Sequence, residues 1–337
     1  MPIAVREAEL GRERDLLVRF CHDNLPIRPD GKRFDWLYSA NPFGPAKTLV
    51  ASDETSREIV GIGSAFPRQL WIGGRRTRGW ILGDFCIAER FRTLGPALTL
   101  QRACMSAIPS GELWYDFPSQ HMLAVYKRLR VPLFTEQVRH VRHLHFDRKL
   151  GKPGEYLVRT LAAFESWRAQ GPGRGQGKLE FGLHDDRFGA EFTDLDNVPA
   201  THDVVRAART ADYLNWRYRN HPTTQYGVLT ARQGRRLLGY LVIHTAGREA
   251  TICDFLLSHQ AILPKLLGYL IRVLVERDVN RLNASLLRQS ALRPFFQRAG
   301  FFSREAVPVV VYGQDEATSR SVHNSNNWSL LHGDRES

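Results

Sequence analysis

Cysteine is scarce in this chain of 337 residues, occurring only at Cys21, Cys86, Cys104 and Cys253. None stands in a C-x-x-C pair, so neither a disulfide framework nor a short-spaced zinc site is expected. His140, His143 and His145 lie close together but alternate with apolar residues, which reads as the polar face of a strand rather than a ligand set. Lysine is rare too, at 32, 47, 127, 149, 152, 178 and 265 only. The excess of 47 Lys plus Arg over 35 Asp plus Glu, a formal charge of +12, is therefore mostly arginine. It is spread along the chain rather than gathered into a stripe, which disfavours nucleic acid and suits an anionic ligand such as a coenzyme, a sugar nucleotide or an acidic glycan. Long apolar runs are missing: the greasiest stretch, 261–275, is broken by Lys265 and Arg272, short of the roughly eighteen residues that span a bilayer. The opening Met-Pro-Ile-Ala-Val-Arg-Glu carries charge where a secretory segment needs an apolar centre. The expectation is a reduced, soluble, cytoplasmic protein without metal, about two domains long.

What the chain does contain is a repeat. Phe34-Asp35-Trp36-Leu37-Tyr38 with Pro42 matches Leu214-Asn215-Trp216-Arg217-Tyr218 with Pro222, the tryptophans, tyrosines and prolines each standing 180 residues apart. Each is followed by an alternating apolar segment with glycine, Ile59–Gly63 and Leu237–Leu241, then by an Asp-Phe pair, Asp84-Phe85 and Asp254-Phe255. Each half closes on an aromatic helix-to-strand segment, Val125–Leu129 and Pro294–Phe301. Four matches in one order predict a duplication.

The patterning predicts the same α/β unit twice. A helix over 6–23 precedes paired strands at 48–52 and 59–66, a Gly73-Gly74 hairpin, a strand at 80–87, a helix at 96–108, a strand at 113–117 and a helix at 119–129 capped by Ser119. The second half repeats this with strands at 226–230, 236–245, 249–257 and 281–286, helices at 262–277 and 291–299, and a strand at 307–313. Between them lie a helical stretch at 155–169 and a glycine-rich run at 171–177 that lacks the strand and Lys-Ser/Thr of a phosphate loop, hence a linker. If extended, the W-x-Y segments put both rings on one face, and core packing is the preferred role for Trp36, Tyr38, Trp216 and Tyr218 over a wall for a sugar ring.

The sharpest chemical signal follows Asp84, where a strand runs through Arg92-Thr93-Leu94-Gly95-Pro96-Ala97 into a helix. Helix-start N–H groups and the helix dipole attract anions, glycine permits close approach, and a pyrophosphate suits the place. Arg92-x-x-Gly95-x-Ala97 resembles the Q/R-x-x-G-x-G/A loop of the GNAT-type (GCN5-related) N-acetyltransferases, and the element order of each half is similar to that family's. The resemblance implies two tandem GNAT-like domains, each a mixed central sheet flanked by helices: residues 1–146 binding acyl-CoA, a connecting 147–184, a degenerate copy at 185–313, and a polar tail at 314–337. It further implies acetyl-CoA as co-substrate, held by the loop Arg92, Thr93, Leu94, Gly95 and Ala97, with the acetyl carbonyl on the backbone of Cys86, Ile87 and Ala88. Pro96 removes one N–H that the loop would otherwise offer, and Gln260–Lys265 in the second half has no glycine.

Tyr126 resembles the tyrosine of the family's Y-x-x-L-G-F segment, a general acid for the departing thiolate, although Arg130-Val131 replaces Gly-Phe. The alternative is a half-buried aromatic with its hydroxyl at the surface. For the base, Asp84, Glu89, Asp116 and His121 are candidates. Asp84 is better read as structural because Asp254 repeats it, and Asp116 is preferred, with ordered water as its rival. Cys86, without a nearby histidine, reads as core. Trp328-Ser-Leu-Leu-His-Gly-Asp334 resembles the endings of tandem envelope-pathway proteins, which implies that the tail docks. The expected activity is direct transfer of acetyl from acetyl-CoA to an amine, on an amino sugar or polysaccharide precursor. A degenerate scaffold protein and a Fem-type aminoacyl-tRNA-dependent transferase are the alternatives.

Overall fold

A computed structural model describes residues 2–144, 179–198, 205–313 and 324–335. The stretches expected as a helix at 155–169 and a glycine-rich linker at 171–177 lie outside the described residues, as does His145. The chain opens on a strand, β1 (Ile3–Glu7), before helix α1 (Leu10–Asn24), where the sequence predicted one helix. Ile3 and Val5 alternate with Ala4 and Arg6, which suits a strand at a sheet edge, while Leu17 and Cys21, four apart, give the helix its buried stripe. A short helix, α2 (Gly31–Phe34), is capped by Asp30, whose carboxylate accepts the Arg33 N–H at 2.8 Å, and it widens into a π-helical turn at Asp35–Ser39. The meander β2 (Lys47–Asp53), β3 (Ile59–Ile72), β4 (Arg75–Ile87) follows. Gly73 and Gly74 turn β3 into β4 with φ of 54° and 74°, left-handed values that favour glycine. Then come α3 (Leu94–Ser106), β5 (Leu113–Asp116), α4 (Gln120–Arg128) and β6 (Thr135–His143). Ser119 caps α4 as predicted, accepting the Met122 N–H.

The rest of the chain follows the same order with one strand added. It runs β7 (Leu179–Leu183), α5 (Ala190–Asn197), β8 (Val205–Ala207), α6 (Ala211–Leu214) with a π-helical turn at Asn215–Arg219, β9 (Gly227–Gln233), β10 (Arg236–Ala246), β11 (Glu249–Leu257), α7 (Ile262–Glu276), β12 (Arg281–Leu287), α8 (Arg293–Arg298) and β13 (Phe302–Gly313). The tail adds β14 (Trp328–Ser329) and a single turn at His332–Asp334. Residues 179–183, placed by the sequence in the connecting segment, form β7 at the sheet edge beside β9.

One mixed sheet runs through the molecule in the order β1-β2-β3-β4-β5-β13-β6-β12-β11-β10-β9-β7. Along this path neighbours are antiparallel except β4–β5 and β11–β12. At its centre the closing strands are exchanged: β13, last in the second half, pairs with β5, and β6, last in the first, pairs with β12. β6 and β13 also pair with each other. Because β6 has a strand on either side, His140 is fully buried rather than on a polar face, and burial lowers its pKa to about 4.

The W-x-Y segments are π-helical turns, not extended strands. Trp36 and Trp216 stack with centroids 4.8 Å apart, and each indole N–H donates to the other's backbone carbonyl, at 2.8 and 2.9 Å. This reciprocal contact joins one apolar cluster that runs through both halves and includes Leu17 from α1 and Phe192 from α5. On the other face α7 and α8 cover the second half, and α3 and α4 the first. None of the described helices is long and apolar enough to cross a membrane.

Candidate active site

The site forms where two parallel strands part. β4 and β5 pair from Gly79 opposite Leu113 to Ile81 opposite Tyr115; β4 then runs on to Ile87 beside β3 but no longer beside β5. A bulge at Asp84, with φ of 44°, marks the parting. The Asp84 carboxylate accepts two bonds from the Arg33 guanidinium, at 2.7 and 3.0 Å, and one from the Tyr38 hydroxyl at 2.9 Å. Asp254 receives Arg209 at 2.9 Å and Tyr218 at 2.7 Å. Each aspartate thus pins its bulge to a π-helical turn in the same way, a scaffold role.

Beyond the bulge the Ala88 N–H is committed to the Val60 carbonyl at 2.9 Å. Alternation along an antiparallel ladder therefore turns the N–H and C=O of Ile87 away from β3, toward the open edge. Arg92 Nε–H takes that carbonyl at 3.0 Å, which leaves the Ile87 N–H facing the gap. Cys86 contributes no nucleophile: its contact with Cys21, together with burial, pushes the thiol pKa well up.

The loop residues Arg92, Thr93, Leu94 and Gly95 are exposed, and Ala97 is half-buried on the first turn of α3. Thr93 starts the helix without a side-chain cap, its own N–H turned back to the Phe91 carbonyl. The N–H groups of Leu94 and Gly95 have no hydrogen-bond partner among the described residues. Pro96 has none to give. Two donors at the positive end of a thirteen-residue helix are placed where an anion can be held. A Cβ at Gly95 would meet nothing within 4 Å, so this position opens outward.

Tyr126 and Asp116 come together. The Tyr126 hydroxyl donates to Asp116 Oδ2 at 2.6 Å and accepts from Gln101 Nε2 at 3.0 Å. Tyr126 is 1% exposed and stacks on Trp114, so its hydroxyl is not at the surface. Asp116 ends β5 and stays half-buried. Glu89 and His121 are exposed and have no part in this group. Gln101 was not foreseen; the sign was a polar residue on the stripe of α3 that also buries Leu100 and Cys104.

The second half provides an internal comparison. The Val131 N–H closes on the Tyr126 carbonyl, and the Phe301 N–H on that of Phe296, both at 3.0 Å. Tyr126 thus corresponds to Phe296. The same sequence separation carries Gln101 to Ile271, and strand register carries Asp116 to Ala284. All three counterparts are buried and apolar. The fold therefore accepts hydrocarbon at each position, and packing does not explain the polar group. At the start of α7 the Ile262 and Leu263 N–H groups are taken by the His259 and Gln260 carbonyls, and Pro264 offers none. Among the described residues, these two positions offer an anion no free donor in the second half.

No family model matches this chain, and no curated protein does. Solved structures do. A GCN5-related N-acetyltransferase from Anabaena variabilis aligns with a TM-score of 0.64 at 12% identity, over 94% of this chain and 74% of its own. The fold is that of the GCN5-related N-acetyltransferases. A GCN5-related glucosamine N-acetyltransferase region of a fungal multi-domain β-N-acetylglucosaminidase gives a TM-score of 0.58 at 10% identity, over 92% of this chain and 38% of that one. The N-myristoyltransferase of Saccharomyces cerevisiae, with bound myristoyl-CoA, gives 0.52 at 11% identity, over 93% and 84%.

Proposed function

We propose that this chain is an N-acyltransferase built from two tandem copies of the fold, with its chemistry in the first, and that it transfers an acetyl group from acetyl-CoA to an amine. The observation that carries this reading is the Gln101–Tyr126–Asp116 group beside the parted β4 edge, replaced by apolar residues in the second half. The chain's own groups fit the coenzyme: Leu94 and Gly95 N–H for the pyrophosphate, the free edge of β4 for its extended arm, and the Ile87 N–H for the acyl oxygen. When bound, acetyl-CoA supplies an activated acetyl thioester. Asp116 takes the proton that the attacking amine loses, and the Tyr126 hydroxyl gives its proton to the departing sulfur. The Asp116 proton then returns to the Tyr126 oxygen along their existing hydrogen bond, and both groups are restored. Gln101 holds the tyrosine oxygen throughout. An amino-sugar acceptor is favoured by the likeness to the glucosamine N-acetyltransferase region.

Calorimetric titration with acetyl-CoA tests the reading. Binding in the roughly micromolar range, lost in Gly95→Trp, is expected. That variant places an indole in open space over the anion site and leaves the core untouched. Silence from the unaltered protein sinks the assignment and leaves a fold kept for binding alone.

A further inference from the structure

A second cleft opens where β11 and β12 part. Their pairing ends at Ile252 opposite Ala284, and the space beyond holds a cavity of about 200 Å³. Phe255, Leu257 and Leu292 wall it from the strand ends and the turn before α8, Leu195 from α5, and the docked tail adds Trp328 and Leu331. Gln260, Ser290, Asn326 and Ser329 bring amides and hydroxyls to the same lining. Gln260 and Asn326 are exposed, which puts them at the mouth.

The two arginines that line this cavity are already answered. Arg206 donates to the Asp196 carboxylate and, at 2.7 Å, to its carbonyl. Arg209 lies between Asp254 and Asp334, at 2.8 Å from each. An added carboxylate or phosphate would compete with carboxylates in place, and an added cation would face two guanidinium groups. At the start of α7 the Ile262 and Leu263 N–H groups are taken by the His259 and Gln260 carbonyls. Charge complementarity therefore selects a neutral ligand. The volume sets the size, since an apolar cavity of roughly 150 Å³ holds a benzene ring.

We propose that the cleft between β11 and β12 is a binding site for a small uncharged molecule, one with a ring-sized apolar body and an amide or hydroxyl that meets Gln260 and Asn326 at the mouth. The site is separate from the coenzyme loop and stands whether or not the first half transfers acetyl groups. Because the tail forms part of the wall, a bound ligand also holds residues 326–331 in place.

The test is ligand-observed NMR titration of the full chain with benzamide, benzoate and benzylamine, which share a ring and differ in charge. Benzamide is expected to bind, with benzoate and benzylamine at least about tenfold weaker. Its binding should slow amide exchange at 326–331. Ala291→Trp, at an exposed lining position, should abolish binding without lowering the thermal midpoint, and Gln260→Ala should weaken it about threefold to tenfold. Three results overturn the proposal: no benzamide binding, equal binding of benzoate, or benzamide binding that survives Ala291→Trp with exchange at 326–331 unchanged.

Discussion

At Tyr126 a single hydroxyl lies between one acceptor and one donor, and the chain carries its own control in Phe296, which fills the matching place with hydrocarbon. Phe296 packs among apolar partners, whereas Tyr126→Phe would strand the Gln101 amide, so it should cost about 1–3 kcal/mol of stability while lowering kcat by about a hundredfold, with KM for acetyl-CoA little altered. A variant that keeps its turnover would make the tyrosine a packing residue. Tyr126 and Asp116 were nameable as candidates because acid–base chemistry uses few residue types, and the structure brings the two into hydrogen-bonding contact. Gln101 was not, since its role depends on which face of α3 meets α4. His140 was misread for a similar reason: alternation along β6 is visible in sequence, but a strand on either side is not. Its burial has a measurable consequence. With the folded pKa near 4 against an ordinary 6.5, the unfolded chain takes up the proton first as pH falls. The same holds for His221 and His332, both lowered to about 4, mainly by burial. Stability present above 6.5 is expected to decline as pH falls toward about 4, seen as a falling urea midpoint, with a shallower decline in His140→Asn.

At the scale of elements, the start of α3 is a helix terminus with one donor removed. Pro96→Ala restores an N–H in the first turn, and calorimetry should show acetyl-CoA binding about fivefold tighter. Unchanged affinity would place the phosphates elsewhere. Most strands and helices were legible from period and turn residues: the Gly73-Gly74 hairpin, the Ser119 cap and the apolar stripe of α7 all follow local rules. The π-helical turns did not. Their shape is bound up with contacts distant in sequence, Trp36 with Trp216 and Tyr38 with Asp84, which local spacing does not encode. β1 was hidden for lack of length, five residues merging into the pattern of α1.

At the scale of the molecule, the tail ties the two halves together. The Tyr115 hydroxyl donates to the Asp334 carbonyl at 3.1 Å, and the Asp334 carboxylate holds Arg209 and the Leu331 N–H. Asp334→Ala should cost about 3 kcal/mol in denaturant unfolding, because it strips a partner from a fully buried guanidinium. A loss near zero would make the tail a loosely held end. Docking of the tail was legible from Trp328, a large apolar residue in polar surroundings; its buried ion pair was not. The repeated motifs were visible in sequence, and Trp36 and Trp216 do meet, but the matches carried no hint that the closing strands change places. That exchange bears on synthesis at the ribosome. A nascent chain that has emerged only as far as β6 holds a strand whose partner, β12, does not yet exist, while its own β5 waits for β13, which comes later still. The middle of the sheet closes only once β13 has been made, so neither half is a cassette that can be lifted out and exchanged between proteins.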